Sequence, residues 1–284
     1  MKDQLLSAVA QNEDLPPLPE VLIKIDSAVR GDNYNLDYIA NLILTDPALA
    51  GKVLKIANSA FYGGGRKKVT SISLAISRLG LNTIRQIVYS LELPRIFHKS
   101  SIIDGLDFWK HSLSVGLLSV LLSQWFNKPQ ELTEKAYIAG LMHDLGIIVF
   151  CHLIPDDYAA FIKNSSEKET PLNVMEYEVF GIDHAELGAA FIRTWWPVDE
   201  EILTSVEQHH SPSILNTDFD SLSGLVNVSN KVCNQEGAAN GVLTYNDADT
   251  SDAWEVIGVT AENRQIILAE LRSSVISAAY LIST

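Results

Sequence analysis

The chain reads as an all-α protein, on two observations. Apolar residues recur at spacings of three and four along almost its whole length, the period of one buried helix face. Alternating apolar runs bounded by turn residues, the mark of strands, are scarce. Hydrophobic residues make up 47% of the 284, enough for a sizeable core in one large domain or two small ones.

The elements follow in order. Met1-Lys2-Asp3-Gln4 leads into a short mixed helix, with Asn12, Glu13 and Asp14 close behind, and it lacks the uninterrupted apolar core of a signal peptide. Leu15-Pro16-Pro17-Leu18-Pro19 is a rigid entry, because each proline fixes φ and a proline early in a helix gives up only a donor that would be unpaired anyway. A helix begins near Pro19, shows Val21, Leu22, Ile25 and Val29 as its apolar face, and stops at Gly31-Asp32-Asn33. A second covers Leu36 to Leu44. Asp46-Pro47 supplies a capping oxygen followed by proline at the first helical position, opening a third helix through Leu49, Val53, Leu54 and Ala57. Gly63-Gly64-Gly65 has neither a strand before it nor a Gly-Lys-Ser/Thr after it, so it reads as a flexible connector and not a phosphate-binding loop. Ser71 to Leu79 and Asn82 to Leu91 read as two helices joined at Gly80, with Thr70 or Ser71 and then Asn82 placed to cap them, and with Leu93-Pro94 breaking the second.

The stretch from Ile138 to Ile154 is the longest apolar run, but His143, Asp144 and His152 interrupt it, so it reads as one core helix and not a membrane span. Asn234 to Ser251, polar and rich in small residues, reads as a long surface loop, and a last helix runs from a Thr260 cap through Ile266, Ile267, Leu271, Val275 and Ile276.

Charge and cysteine content exclude several functions. The formal net charge of −14 argues against nucleic-acid binding, which needs Lys and Arg to neutralise phosphates, and Arg66-Lys67-Lys68 is too short to reverse it. Two cysteines, Cys151 and Cys233, give no disulfide framework, which fits a reducing compartment and a cytoplasmic protein. No Gly-x-Ser-x-Gly elbow is present and neither cysteine has a nucleophile motif around it, so covalent catalysis has no basis in the sequence.

Histidines set inside helical patterns carry the chemistry. His111, the pair His143-Asp144, His184 and the pair His209-His210 offer imidazole nitrogens and a carboxylate, the ligands of iron, manganese, zinc or magnesium, which helices from distant positions can bring together in a bundle core. Asp144 lies between Leu141-Met142 and Leu145-Gly146-Ile147, where an unpaired carboxylate would cost several kcal/mol; a metal or a neighbouring histidine would serve as its partner. Any one of these histidines alone would be an ordinary core or surface residue, as His98 and His152 are taken to be. Five of the seven together with a buried-looking aspartate point to one or two divalent ions and a metal-activated water attacking a phosphoester.

Several runs identify a resemblance. Leu15-Pro16-Pro17-Leu18-Pro19, Asp46-Pro47, Lys55-Ile56-Ala57-Asn58-Ser59-Ala60-Phe61-Tyr62, Ser71-Ile72-Ser73-Leu74-Ala75-Ile76 and Leu79-Gly80 resemble the HDOD domain, a divergent branch of the HD phosphohydrolase superfamily that includes the HD-GYP cyclic-di-GMP phosphodiesterases. The likeness runs from about Leu15 to Lys231. It implies an HD-domain-like multi-helix bundle divided into an N-terminal helical subdomain (1–96), an HD-like subdomain (97–236) and a loop with a C-terminal helix (237–284). Carried over, His111, His143 and Asp144 would hold a first ion, with Asp144 bridging to a second held by His184 and by His209, His210 or both.

The departures matter as much. Asn230 stands where the superfamily closes its site with an aspartate and is a degenerate ligand position. Apolar Ile147 replaces a basic residue of active HD-GYP members, and His209-His210 runs into Ser211-Pro212-Ser213 with no Gly-Tyr-Pro loop. The resemblance therefore implies a bacterial regulatory or output module that works through contacts with signalling proteins, without nucleic acid or membrane, around a retained metal-binding cavity able to take a nucleotide or phosphate. The alternative it leaves open is an active metal-dependent phosphohydrolase on a nucleotide or cyclic dinucleotide. In this family setting Asn58-Ser59 and Phe61-Tyr62 either shape the junction between subdomains or, as aromatics usually do, fill core.

Overall fold

A computed structural model describes residues 1–31, 35–59, 62, 67–97, 102–165, 170–211, 221–238, 240–242 and 253–282, without the side chains of 276–282. The described residues are helical, with no strand among them, as the periodicity predicts. They form two compact units, one of Met1–Pro16 with Phe97–Leu271 and one of Pro17–Ile96 with Arg272–Thr284. The chain-order helices are α1 (Lys2–Gln11), α2 (Glu20–Arg30), α3 (Leu36–Leu44), α4 (Pro47–Ala57), α5 (Ile72–Leu79), α6 (Leu81–Ile96), α7 (Gly105–Trp125), α8 (Gln130–Met142), α9 (Leu145–Leu153), α10 (Pro155–Ser165), α11 (Leu172–Phe180), α12 (His184–Trp195), α13 (Glu200–Gln208), α14 (Leu222–Gln235), α15 (Ala253–Val256) and α16 (Ala261–Ile282).

The unit of Pro17–Ile96 is set by local rules. Asp46 Oδ1 accepts from the Ala48 and Leu49 amides at 2.9 and 3.1 Å, Pro47 opens α4, and Ser71 Oγ accepts from Leu74 N to cap α5. Asn58 ends α4 and holds the next segment: Nδ2 donates to Leu54 O and Val69 O, and Oδ1 accepts from Val69 N. Leu22, Ile25, Ile39, Ile43, Val53, Ile72 and Ile84 fill the core, which also buries Asp26 against Arg85 Nε and the Tyr89 hydroxyl, both at 2.6 Å. Two readings are corrected. Asn82 is not a cap, because α6 already begins at Leu81, and Pro94 does not break that helix. It sits in the last turn, where proline removes a single bond, to the Ser90 carbonyl. Phe61 and Gly63-Gly64-Gly65 lie outside the described residues.

The other unit is a bundle in which two glycine pairs set the closest approaches. A Cβ on Gly140 of α8 would lie 2.7 Å from Gly116 Cα of α7, and one on Gly146 of α9 would lie 1.8 Å from the His184 carbonyl of α12. At its N-terminus Trp195 Nε1 donates to Val9 O and Trp196 Nε1 to Pro16 O, which ties Met1–Pro16 into this unit. The segment Gln130–Leu153 is apolar and long enough to cross a membrane by length and composition, but 89% of its apolar window is buried within the protein. It is not the single helix that the apolar run suggests: α8 stops at Met142 and α9 starts at Leu145, with a turn at His143 and Asp144.

Candidate metal centre

The turn at His143-Asp144 points both side chains into the bundle, where neither is more than 2% exposed. Around it, α7 contributes His111 one turn before Gly116, α12 opens with His184, and α13 ends into His209 and His210. The glycine contacts bring α7 beside α8 and α12 beside α9, so the packing that removes a methyl from each interface also brings the rings together. Five histidines from four segments of the chain thus meet at Asp144.

The geometry centres on one carboxylate. Asp144 Oδ1 lies 3.2 Å from His143 Nε2, 3.3 Å from His184 Nε2 and 3.5 Å from His209 Nε2. Asp144 Oδ2 lies 3.6 Å from His111 Nε2, which is itself 3.3 Å from His143 Nε2. His210 Nε2 stands 2.8 Å from His184 Nε2. Every sequence-expected histidine is therefore present, and two ligand groups overlap at Asp144: His111 with His143, and His184 with His209 and His210. Asn230 is buried beside the His111 ring as a hydrogen-bond partner and accepts from Asn234 Nδ2 at 2.8 Å. His152, read as an ordinary residue, is exposed at the surface; His98 lies outside the described residues.

The outer partners fix which nitrogen faces inward. His143 Nδ1 meets Gly140 O at 2.7 Å, His209 Nδ1 meets Val206 O at 2.7 Å, and His111 Nδ1 meets Ala238 O. A carbonyl only accepts, so each Nδ1 must carry the proton, and in the neutral ring Nε2 then presents a lone pair to the cluster. His184 Nδ1 is held the same way by Glu176 Oε2, which also accepts from the His184 amide at 2.8 Å, while the Tyr158 hydroxyl donates to Glu176 Oε1.

Lone pairs facing a carboxylate at these separations repel unless a positive charge lies among them. His209 Nε2 is buried and has no hydrogen-bond partner among the described residues. Ligands bound to one ion at about 2.1 Å stand roughly 3.0–3.4 Å apart, close to the spacings here. The donor set fits a divalent transition metal.

Electrostatics divide the cluster. Burial works against charge on His184, but Glu176, with Asp144, overrides it and drives the pKa well above the ordinary histidine value. Burial would likewise raise the Asp144 carboxyl, yet His143, His184 and His209 hold it well below the usual carboxylate range. Burial dominates elsewhere, lowering His111 to about 4, lowering His209 and lowering His210 strongly, the last with help from His209 and His184. His111, His209 and His210 are thus held toward the neutral form around one ionised carboxylate, while His184 is driven toward its protonated form.

Sequence reading missed Glu176, Tyr158, Ala238 and Asn240. Glu176 is a fully buried acid on the α11 face that also buries Met175 and Phe180, and an acid at a buried helical position was the available signal. The stretch read as a surface loop from Asn234 is different where it is described. Its first residues finish α14, and Ala238 and Asn240 then turn onto the cluster, Asn240 Nδ2 donating to Asp144 Oδ2 at 2.9 Å.

Comparison with known proteins bears on family and fold. The HDOD domain family model matches residues 15–212. An uncharacterized protein of Treponema pallidum (strain Nichols) is 29% identical over 209 residues, which cover 73% of this chain and 40% of that protein. The chain spans about two fifths of that relative's length. An HDOD domain protein of unknown function from Geobacter sulfurreducens superposes with a TM-score of 0.77 at 22% identity, covering 99% of this chain and 98% of the other. A candidate phosphohydrolase from Shewanella amazonensis SB2B gives 0.75 at 22% identity, covering 98% and 97%. A candidate signal transduction protein from Marinobacter aquaeolei VT8 gives 0.74 at 21% identity, covering 100% of this chain and 66% of that one. At these identities the structural likeness is one of fold.

Proposed function

Because the chain belongs to the HDOD domain family, we propose that it is a bacterial signal-transduction module that acts as a regulatory or output domain through protein contacts, around a cavity that holds a divalent metal. One observation carries the metal reading: four imidazoles whose Nδ1 atoms are committed to acceptors aim their Nε2 atoms at Asp144. His143, Asp144, His184, His209 and His210 would hold an ion, with His111 beside them. Bound there, a divalent ion would acidify water and neutralise charge on a phosphoryl oxygen.

The chain's own residues favour binding over turnover. Ile147, wholly buried and apolar, offers no charge to a phosphate, and Asn230 brings a neutral amide where the superfamily closes its site with a carboxylate. Of the residues in the cluster, Asp144 is the one carboxylate, and it is pinned on both oxygens. That leaves no second carboxylate in the cluster to accept a proton from an attacking water.

The convergence of five histidines on one aspartate favours the second reading, a metal-dependent phosphohydrolase on a nucleotide or cyclic dinucleotide. Hydrolysis of cyclic dinucleotides and of a generic phosphodiester, by protein reconstituted with manganese or iron and by its Asp144→Ala variant, separates the two. The regulatory reading expects no turnover above the variant. Turnover that Asp144→Ala abolishes while the helical signal persists would establish the hydrolase.

A further inference from the structure

The two oxygens of Asp144 have different surroundings. Oδ1 faces His143, His184 and His209 at 3.2 to 3.5 Å. Oδ2 accepts from Asn240 Nδ2 at 2.9 Å and has His111 Nε2 at 3.6 Å. The orientation of the Asn240 amide is not arbitrary: its Oδ1 accepts from the Val242 amide at 3.2 Å, so the nitrogen must face the carboxylate. An N–H donating into Oδ2 takes one of that oxygen's lone pairs, so a second ion there would have to share the oxygen with the amide.

Charge points the same way. Two divalent ions would bring four positive charges to a buried cluster whose direct donors are neutral imidazoles and one carboxylate, with Asn230 and Asn240 neutral at its edge. One divalent ion leaves a far smaller excess, and Glu176 behind His184 offsets part of it.

Resting on the metal reading above, we propose that the centre is mononuclear, built on Asp144 Oδ1 with His143, His184, His209 and His210, and that Asn240 fills the place of a second ion beside His111. Asn240 is thereby a residue that sets metal stoichiometry. An acid at this position would join Asp144 Oδ2 and His111 Nε2 as a second ligand set.

Manganese titrated into the full, untagged chain, with the bound metal counted per chain by elemental analysis, tests this in the wild type, Asn240→Ala and Asn240→Asp. Asn240 lies in a loop, and the far-ultraviolet helical signal verifies that each variant is folded. One ion per chain is expected in the wild type. Asn240→Ala, which supplies no ligand, should still hold one ion at saturation, and Asn240→Asp should take up two. Two ions in the wild type, or one in a folded Asn240→Asp, overturns the proposal while leaving the metal reading intact. No manganese in the wild type removes the metal reading itself and the proposal with it.

Discussion

Glu176 is wholly buried and still tolerable because its oxygens are both engaged, one by the Tyr158 hydroxyl and the other by the His184 ring and amide. Losing it would strand three buried donors, so Glu176→Ala should destabilise the protein by about 3–5 kcal/mol in urea unfolding. Glu176→Gln keeps the shape but weakens the hold on His184, and calorimetric metal titration should show an affinity loss of about 10- to 100-fold with the fold retained. The same ring fixes a pH dependence. In the metal-free protein His184 keeps its proton above the usual histidine range, so metal must displace it, and affinity should rise as pH increases toward that raised pKa. A flat profile in the same titration would argue against His184 as a ligand. The sequence offered only the place of Glu176 on an apolar helix face; its pairing with His184, eight residues on, follows no motif, and the exposed Glu178 stands beside it.

Helix ends and helix contacts were more readable, with instructive failures. The Asp46-Pro47 and Ser71 caps stand where spacing predicts, because a capping oxygen acts over three residues and needs no tertiary context. Asp46 also pairs with Arg95 at 2.6 Å, and that guanidinium, with the capped amides, lowers its pKa. Asp46→Ala should cost about 1 kcal/mol at neutral pH, whereas Asp46→Asn, which keeps the cap and loses a partly exposed pair, should cost less, about 0–1 kcal/mol. The Asp46→Ala difference should shrink on acidification, because a group with a lowered folded pKa contributes stability above its unfolded value and loses it as pH falls through the folded one. Chemical denaturation across pH reads both. The turn at His143-Asp144 was not foreseen: apolar residues on both sides hide it in a continuous run, and just after it Gly146 lies against the His184 backbone. Gly146→Ala places a methyl carbon where the His184 carbonyl lies, so it should cost at least the 1–3 kcal/mol or so of an overpacked core and reduce metal binding with it.

Taken together, the motif-bearing residues gave the family, the all-helical fold and the inward-facing histidines, because those depend on patterns a sequence carries openly. Asn240 and Ala238 come from a polar stretch whose composition reads as loop, and hydrogen bonds made by a loop to a distant helix leave no periodic trace. They matter because Ala238 fixes the tautomer of His111 and Asn240 engages one oxygen of Asp144. A protein that holds one ion without turning substrate over would use it to stabilise the bundle, at about 2.7 kcal/mol when free metal is 100 times the dissociation constant, and so could couple metal occupancy to the state it presents to a partner. Everything in that account depends on metal reaching the cluster. Elemental analysis of the untagged protein, as purified and after reconstitution with iron or manganese, with His143→Ala as the control, should find divalent metal bound in the wild type and lost in the variant. A metal-free wild type after reconstitution, or equal metal in both proteins, would contradict it.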